Sequence, residues 1–198
     1  ERLQDAEVAL NIRASAKFTA SIFERLPDLR LVSIWGTGTD HVDLLAAANT
    51  GITVTNTPGV SAVSIAEHCL ALMLAVARKI PQIDAQTRAG QWPRGGMMQL
   101  AGKTLGVIGL GAIGRRFACL GQAIGMDVIT WTRNPKPELG FPHVELDELL
   151  GRSDVVSLHL RLSEETRGFL GFNEFARMKS GAIFLNTARG PIADDIAL

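Results

Sequence analysis

A glycine-rich turn between a strand and a helix constrains this chain more than any other feature. The apolar run Thr104-Leu105-Gly106-Val107-Ile108 leads directly into Gly109-Leu110-Gly111-Ala112-Ile113-Gly114, and a helix-compatible stretch, Arg115 to Ile124, follows. Each glycine has its own physical reason. The first permits a tight turn, the second lets the backbone approach a pyrophosphate, and the third lets the helix pack close to the strand. The helix N-terminus offers unpaired N–H groups to the anion, with Ala112 and Ile113 as the nearest donors. A glycine-rich strand–helix turn with no ligand is the alternative reading of the same residues.

The rest of the chain alternates in the same way. Strands are predicted at Ala6–Ile12, Leu29–Trp35, Ile52–Asn56, Thr104–Ile108, Asp127–Trp131, Asp154–Leu160 and Ala182–Asn186. Helices are predicted at Thr19–Leu26, Leu44–Asn49, Arg115–Ile124, Leu146–Leu150 and Asn173–Lys179. Ser64-Ile65-Ala66-Glu67 reads as a capping box opening a long apolar helix that ends before Pro81. Apolar nearly all round, that helix belongs between layers or at a subunit contact. Gln82–Gln99 reads as a connecting arm, and Asn134-Pro135-Lys136-Pro137 as a turn.

Strands separated by helices imply parallel βαβ units, hence an α/β fold with a doubly wound sheet. In such sheets a ligand lies beyond the C-terminal ends of the strands. Three loops fall there: Gly36–Asp40, Gly109–Gly114 and Asn186–Gly190.

Composition narrows the partners. Twenty Lys and Arg balance twenty Asp and Glu, and no basic run appears, which argues against nucleic acid and anionic membranes. The longest apolar stretch, Cys69–Ala77, is too short to span a bilayer, and no signal peptide opens the chain. Cys69 and Cys119 read as buried small hydrophobes in a reducing, cytoplasmic compartment, and no Cys/His spacing suggests a metal. The chain opens without Met, and Asp194-Asp195-Ile196-Ala197-Leu198 reads as a helix just beginning. A fragment truncated at both ends is therefore expected.

Several motifs then converge. Gly36-Thr37-Gly38-Thr39-Asp40-His41-Val42-Asp43, Asn56-Thr57-Pro58-Gly59 and Ala66-Glu67-His68 precede the glycine-rich turn. Ser153-Asp154-Val155-Val156-Ser157-Leu158-His159 and Asn186-Thr187-Ala188-Arg189-Gly190 follow it. In this order they resemble the D-isomer-specific 2-hydroxyacid dehydrogenases across nearly the whole chain. The resemblance implies two Rossmann-like domains with doubly wound sheets, residues 1–60 for substrate and 61–198 for a dinucleotide, with the active site in the cleft between them. It implies hydride transfer between a nicotinamide and C2 of a small 2-hydroxy or 2-oxo acid. A homodimer built through the cofactor domain is expected. The alternatives on the same scaffold are formate or phosphite oxidation and a dinucleotide-sensing, corepressor-like interaction protein.

Arg189 matches the family's catalytic arginine, and a guanidinium fork suits a carboxylate and its neighbouring carbonyl in one plane. A surface arginine closing a turn is the plainer alternative. Thr37 and Gly38 match the loop whose amides hold the substrate carboxylate, although a plain strand–helix turn reads similarly. Besides Gly109, Gly111, Ala112, Ile113 and Gly114, the resemblance puts Leu160, Thr166, Thr187, Ala188 and Arg189 on the cofactor side. The family's catalytic acid and histidine fall beyond this sequence. His41, His68, His143 and His159 match neither; His68 reads as a satisfied buried histidine, His41 as shaping the Thr37 loop, and His159 as a cofactor neighbour.

Two departures matter. Arg161 replaces a common proline. Thr132, followed by Arg133, stands where NAD-specific members carry the acidic residue that binds the ribose hydroxyls. Losing that carboxylate removes repulsion toward a ribose phosphate, so NADP is favoured over NAD, with Arg133 as its partner. A merely solvated Arg133 is the other reading.

Overall fold

The expected alternation is realised almost strand for strand in a computed structural model describing residues 3–12, 15–135 and 140–198. Lys136 and Pro137, half of the expected Pro-rich turn, lie outside the described residues. The chain divides into two compact units, Glu1–Ser61 and Ala62–Leu198.

The first unit runs β1 (Val8–Ile12), α1 (Ala20–Phe23), β2 (Leu31–Trp35), α2 (Leu44–Asn49) and β3 (Thr53–Thr55). Its three strands are parallel, in the order β1-β2-β3. Phe18, Phe23, Leu29, Val32, Ile34 and Ile52 form one core. Helix α1 is shorter than expected. Arg25 and Leu26 already bond three residues back, to the carbonyls of Ile22 and Phe23, so the last turn tightens before Pro27. Helix α2 has the expected ends: the Asp43 carboxylate accepts the Ala46 amide at 2.9 Å, and Gly51 leaves the helix at a φ of 73°.

The second unit continues with α3 (Ala62–Ala77), α4 (Ile80–Arg88), β4 (Thr104–Ile108), α5 (Ala112–Ala123), β5 (Asp127–Trp131), α6 (Leu146–Arg152), β6 (Val155–Leu158), α7 (Phe172–Arg177) and β7 (Ile183–Asn186). Its strands are all parallel, in the order β5-β4-β6-β7. Strands covered on both faces read as continuous apolar runs, and β6 is buried at all of its positions. On one face, Leu105, Val107, Val128 and Val155 meet Cys69 and Met73 of α3 and Phe117 of α5. On the other, Ile108, Ile129, Val156 and Leu158 meet Leu149 and Leu150 of α6. Phe117 is fully buried, worth about 2–3 kcal/mol of transfer free energy.

Five expectations need correcting. Ser64–Glu67 is not a capping box, because α3 already starts at Ala62. Its buried stripe Ala62, Ala66, Cys69, Met73 and Ala77 sets that start, two residues before Ser64. The segment after Pro81 is not all arm. Proline is tolerated in a first helical turn, so Pro81 opens α4 after Lys79 breaks the axis at a φ of 52°. Only Gln91–Gln99 stays irregular, tied to α3 where the Met98 amide donates to the Ala77 carbonyl at 2.9 Å. His68 and Cys119 are exposed, not buried. Each sits off its helix's buried stripe, which in α5 is Gly114, Phe117, Ala118 and Gly121. Finally, Asp195–Ala197 forms a turn rather than the start of a helix. Among the described residues no helix is long and apolar enough to cross a membrane.

Candidate functional site

The glycine-rich turn joins β4 to α5, and its three glycines occupy three different environments. Gly109 has a φ of 97°, and a Cβ there would lie 2.8 Å from the His159 carbonyl oxygen. At Gly114 a Cβ would lie 2.0 Å from the Gly109 carbonyl oxygen, so only glycine lets the first helical turn fold over the strand end. Gly111 is different: a Cβ there would meet nothing within 4 Å. Its side of the turn is open, as a backbone approached by a ligand requires. Helix α5 starts at Ala112, three residues earlier than its apolar pattern indicates, with Gly111 as N-cap. The first intrahelical bond runs from Arg115 N to Gly111 O at 3.0 Å. The amides of Ala112, Ile113 and Gly114 precede it and have no intrahelical carbonyl to donate to. Open space, three amides with no intrahelical acceptor and the positive end of a helix dipole together fit a pyrophosphate.

Beside this turn is a pocket of about 630 Å³, lined by Trp131, Thr132, Arg133, Leu160, Glu165 and Thr166 among others. Strand register builds it. Ile108 pairs with Trp131 on one side and Leu158 on the other, so the residues following both strands flank Gly109. The Gly109 amide donates to the Trp131 carbonyl at 2.8 Å, and the Leu160 side chain closes against Gly109. Trp131 packs on Phe169 with ring centroids 5.1 Å apart. Thr166 is buried and holds the 161–166 loop: its hydroxyl accepts the Ser163 amide at 2.8 Å and donates to the Arg161 carbonyl at 2.6 Å. Arg133 is not simply solvated. Its guanidinium pairs with the Glu165 carboxylate at 2.5 Å.

The third strand-end loop carries Arg189. Asn186, the last residue of β7, clamps it: its side chain accepts the Ala188 amide at 3.1 Å and donates to the Arg189 carbonyl at 3.0 Å. Thr187 is held from below by Cys69, hydroxyl to thiol at 3.1 Å. Burial pushes the Cys69 thiol up, against the smaller opposing effect of that bond, so it stays protonated at neutral pH. The Arg189 side chain is exposed, with one guanidinium nitrogen donating to the Ala188 carbonyl at 2.9 Å.

In the first unit, the loop after β2 is stitched to the segment after β3. Gly36 takes a φ of 154°, its amide donates to the Thr57 hydroxyl at 3.0 Å, and Asn56 donates its side-chain N–H to the Thr37 carbonyl at 2.9 Å. Thr37 is exposed and Gly38 partly so. Behind them, both ring nitrogens of His41 are buried without a hydrogen-bond partner among the described residues.

Residues 70–198 match the sequence profile of the D-isomer specific 2-hydroxyacid dehydrogenase NAD binding domain. The chain belongs to this family. It is 40% identical over 196 residues to a D-3-phosphoglycerate dehydrogenase of Archaeoglobus fulgidus, covering 96% of this chain and 37% of that one. It is 41% identical over 192 residues to a hydroxypyruvate reductase of Thermotoga maritima, covering 96% and 63%. Among solved structures, the Aquifex aeolicus D-lactate dehydrogenase complexed with NAD and lactic acid superposes with a TM-score of 0.93 at 33% identity, covering 99% of this chain and 60% of that one. The chain thus spans between about a third and two thirds of the length of these relatives.

In this dehydrogenase-family chain His159, just after β6, shares a 2.9 Å hydrogen bond between Nε2 and the Ser157 hydroxyl and lies 5.7 Å from the Phe117 ring. Burial lowers its pKa to about 4, so the ring is neutral at physiological pH and walls the glycine turn. His143 is exposed, its Nε2 3.2 Å from the Thr132 carbonyl. Sequence reasoning missed three positioning contacts: the Asn186 clamp, the Cys69–Thr187 bond and the Arg133–Glu165 pair. Asn186 had a signal, since an Asn ending a buried strand before an irregular loop suits side-chain-to-backbone bonding. The other two join residues 118 and 32 apart, and no local pattern marks them.

Proposed function

We propose that this chain is the dinucleotide-binding part, with a piece of the substrate unit, of a longer NAD(P)-dependent oxidoreductase acting on small 2-hydroxy or 2-oxo acids. The open side of Gly111 at the N-terminus of α5, where the Ala112 and Ile113 amides have no intrahelical acceptor, carries this reading. A bound nicotinamide dinucleotide supplies the hydride acceptor or donor. The chain's own residues do the rest. The α5 N-terminus holds the pyrophosphate, Leu160 and Thr132 border the adenosine end, and Thr187 and Ala188 lie along the cofactor side. Arg189, freed from its backbone contact, holds the acid's carboxylate and polarises its carbonyl. In the first unit, Thr37 and Gly38 present backbone amides to a carboxylate.

Arg133 on the pocket wall, with Thr132 in place of an acidic residue, supports NADP over NAD. Unpaired Cys69 and Cys119 suit a cytoplasmic setting. The apolar residues Val63, Val76, Ile80, Trp92 and Met97 are exposed on α3, α4 and the arm, and a second copy of the chain covering them supports a homodimer. Light scattering of the full-length protein at micromolar concentration checks this; a monomer contradicts it.

The functional test is turnover. The full-length protein with NADPH or NADH is expected to reduce glyoxylate, hydroxypyruvate or pyruvate, and Arg189→Lys to lower kcat/KM by roughly 100-fold or more. Binding of dinucleotide with no turnover of any 2-oxo acid points instead to a sensing role. Residues 1–198 alone are expected to be inactive. A neutral His159 with a pKa of about 4, tied to Ser157, is no proton donor to a developing alkoxide.

A further inference from the structure

The wall of the adenosine-side pocket pairs a cation with an anion from distant parts of the chain. Arg133 follows β5, Glu165 sits on the loop held by Thr166, and both line the pocket. Their side chains are 58% and 69% exposed, so nothing in the core forces them together. We propose that Glu165 is a specificity-determining residue that sets how strongly the site discriminates NADP from NAD, by competing with a ribose 2′-phosphate for Arg133. This rests on the cofactor reading above.

Arg133 and Arg161 are the cations lining this pocket, and Arg133 directly follows Thr132, where a neutral side chain brings no charge to repel a 2′-phosphate. Glu165 already occupies one of the Arg133 N–H groups at 2.5 Å. A dianionic phosphate outbids a single carboxylate for a guanidinium, but it must displace Glu165 and approach its negative charge. NAD carries a hydroxyl there and leaves the pair intact. Glu165 therefore weakens NADP selectively, by the modest amount an exposed ion pair is worth, and salt screens the effect. Glu164 lines the same pocket and supplies the control, since it removes an equal charge without releasing Arg133.

The experiment measures NADP+ and NAD+ affinity by calorimetry on the full-length protein at low and high salt, for wild type, Glu165→Gln, Glu164→Gln and Arg133→Ala. All three positions are surface positions whose substitution leaves the core untouched. Glu165→Gln is expected to tighten NADP+ about three- to five-fold at low salt, to leave NAD+ within about two-fold, and to exceed the effect of Glu164→Gln. Equal tightening of both dinucleotides, or equal effects of the two Glu variants, overturns the proposal. So does no effect of Glu165→Gln while Arg133→Ala weakens NADP+, which leaves the cofactor reading standing. If Arg133→Ala leaves NADP+ affinity unchanged, the NADP reading fails as well.

Discussion

Acidification should destabilise the second unit through His159 in a window that its burial fixes. The imidazolium is disfavoured where the ring lies against Phe117 and the glycine turn, so the folded-state pKa is about 4 against an ordinary value near 6.5. Above pH 6.5 both folded and unfolded chains hold a neutral ring, and the full stability is present. As pH falls from 6.5 toward 4 the unfolded chain takes up a proton that the folded chain refuses, so stability drops; below 4 the loss levels off. The gap corresponds to about 3 kcal/mol in full and about 2 kcal/mol by pH 5. His159→Gln removes the titration while keeping a group that can bond Ser157. Urea unfolding followed by Trp131 fluorescence reads the second unit once Trp35 and Trp92, 62% and 79% exposed, are replaced by Phe. From pH 7.5 to 5 the parent should lose about 2 kcal/mol more than the Gln variant. Parallel stability curves would falsify the burial argument.

Two further substitutions separate fold from binding at the glycine turn. Gly114→Ala, forced within 2.0 Å of the Gly109 carbonyl, should cost about 2–4 kcal/mol in urea unfolding, whereas Gly111→Ala should cost under about 1 kcal/mol yet weaken dinucleotide binding at least ten-fold by calorimetry. At the other end of the sheet, Asp154 accepts the Thr104 amide at 2.9 Å and Lys179 at 3.1 Å. Burial raises its pKa, but these bonds and the nearby lysines override it and hold the carboxyl below the usual range. Asp154→Asn should therefore cost about 1–2 kcal/mol at pH 7, the deficit shrinking as pH falls below about 3.9 and through the lower folded value; urea unfolding at pH 7 and pH 3 checks it.

The second-unit sheet was legible because buried parallel strands write themselves as apolar runs, and β4 and β5 have the ends that reading gave. The glycine turn was legible because the second unit needs a different property of glycine at Gly109, Gly111 and Gly114. Helix starts were less so. Alanine-rich first turns such as Ala62-Val63 and Ala112-Ile113 carry no capping signal, and tertiary burial decided them. Pro81 misled because a proline shortly after one helix suits the first turn of the next equally well. On α3 and α5, composition alone could not say which face His68 and Cys119 occupy. The Arg133–Glu165 pair and the Cys69–Thr187 bond depend on how distant loops meet, which no single window of sequence contains.

In the proposed function the Gly109–Gly114 turn receives a dinucleotide pyrophosphate. Titrating NAD+ and NADP+ into the ¹⁵N-labelled protein while following backbone amide shifts tests it most directly. Saturable shifts are expected, largest at the Ala112 and Ile113 amides and lost in a folded Gly111→Val variant. Saturable binding that leaves residues 109–114 unmoved, or no binding of either dinucleotide, contradicts it.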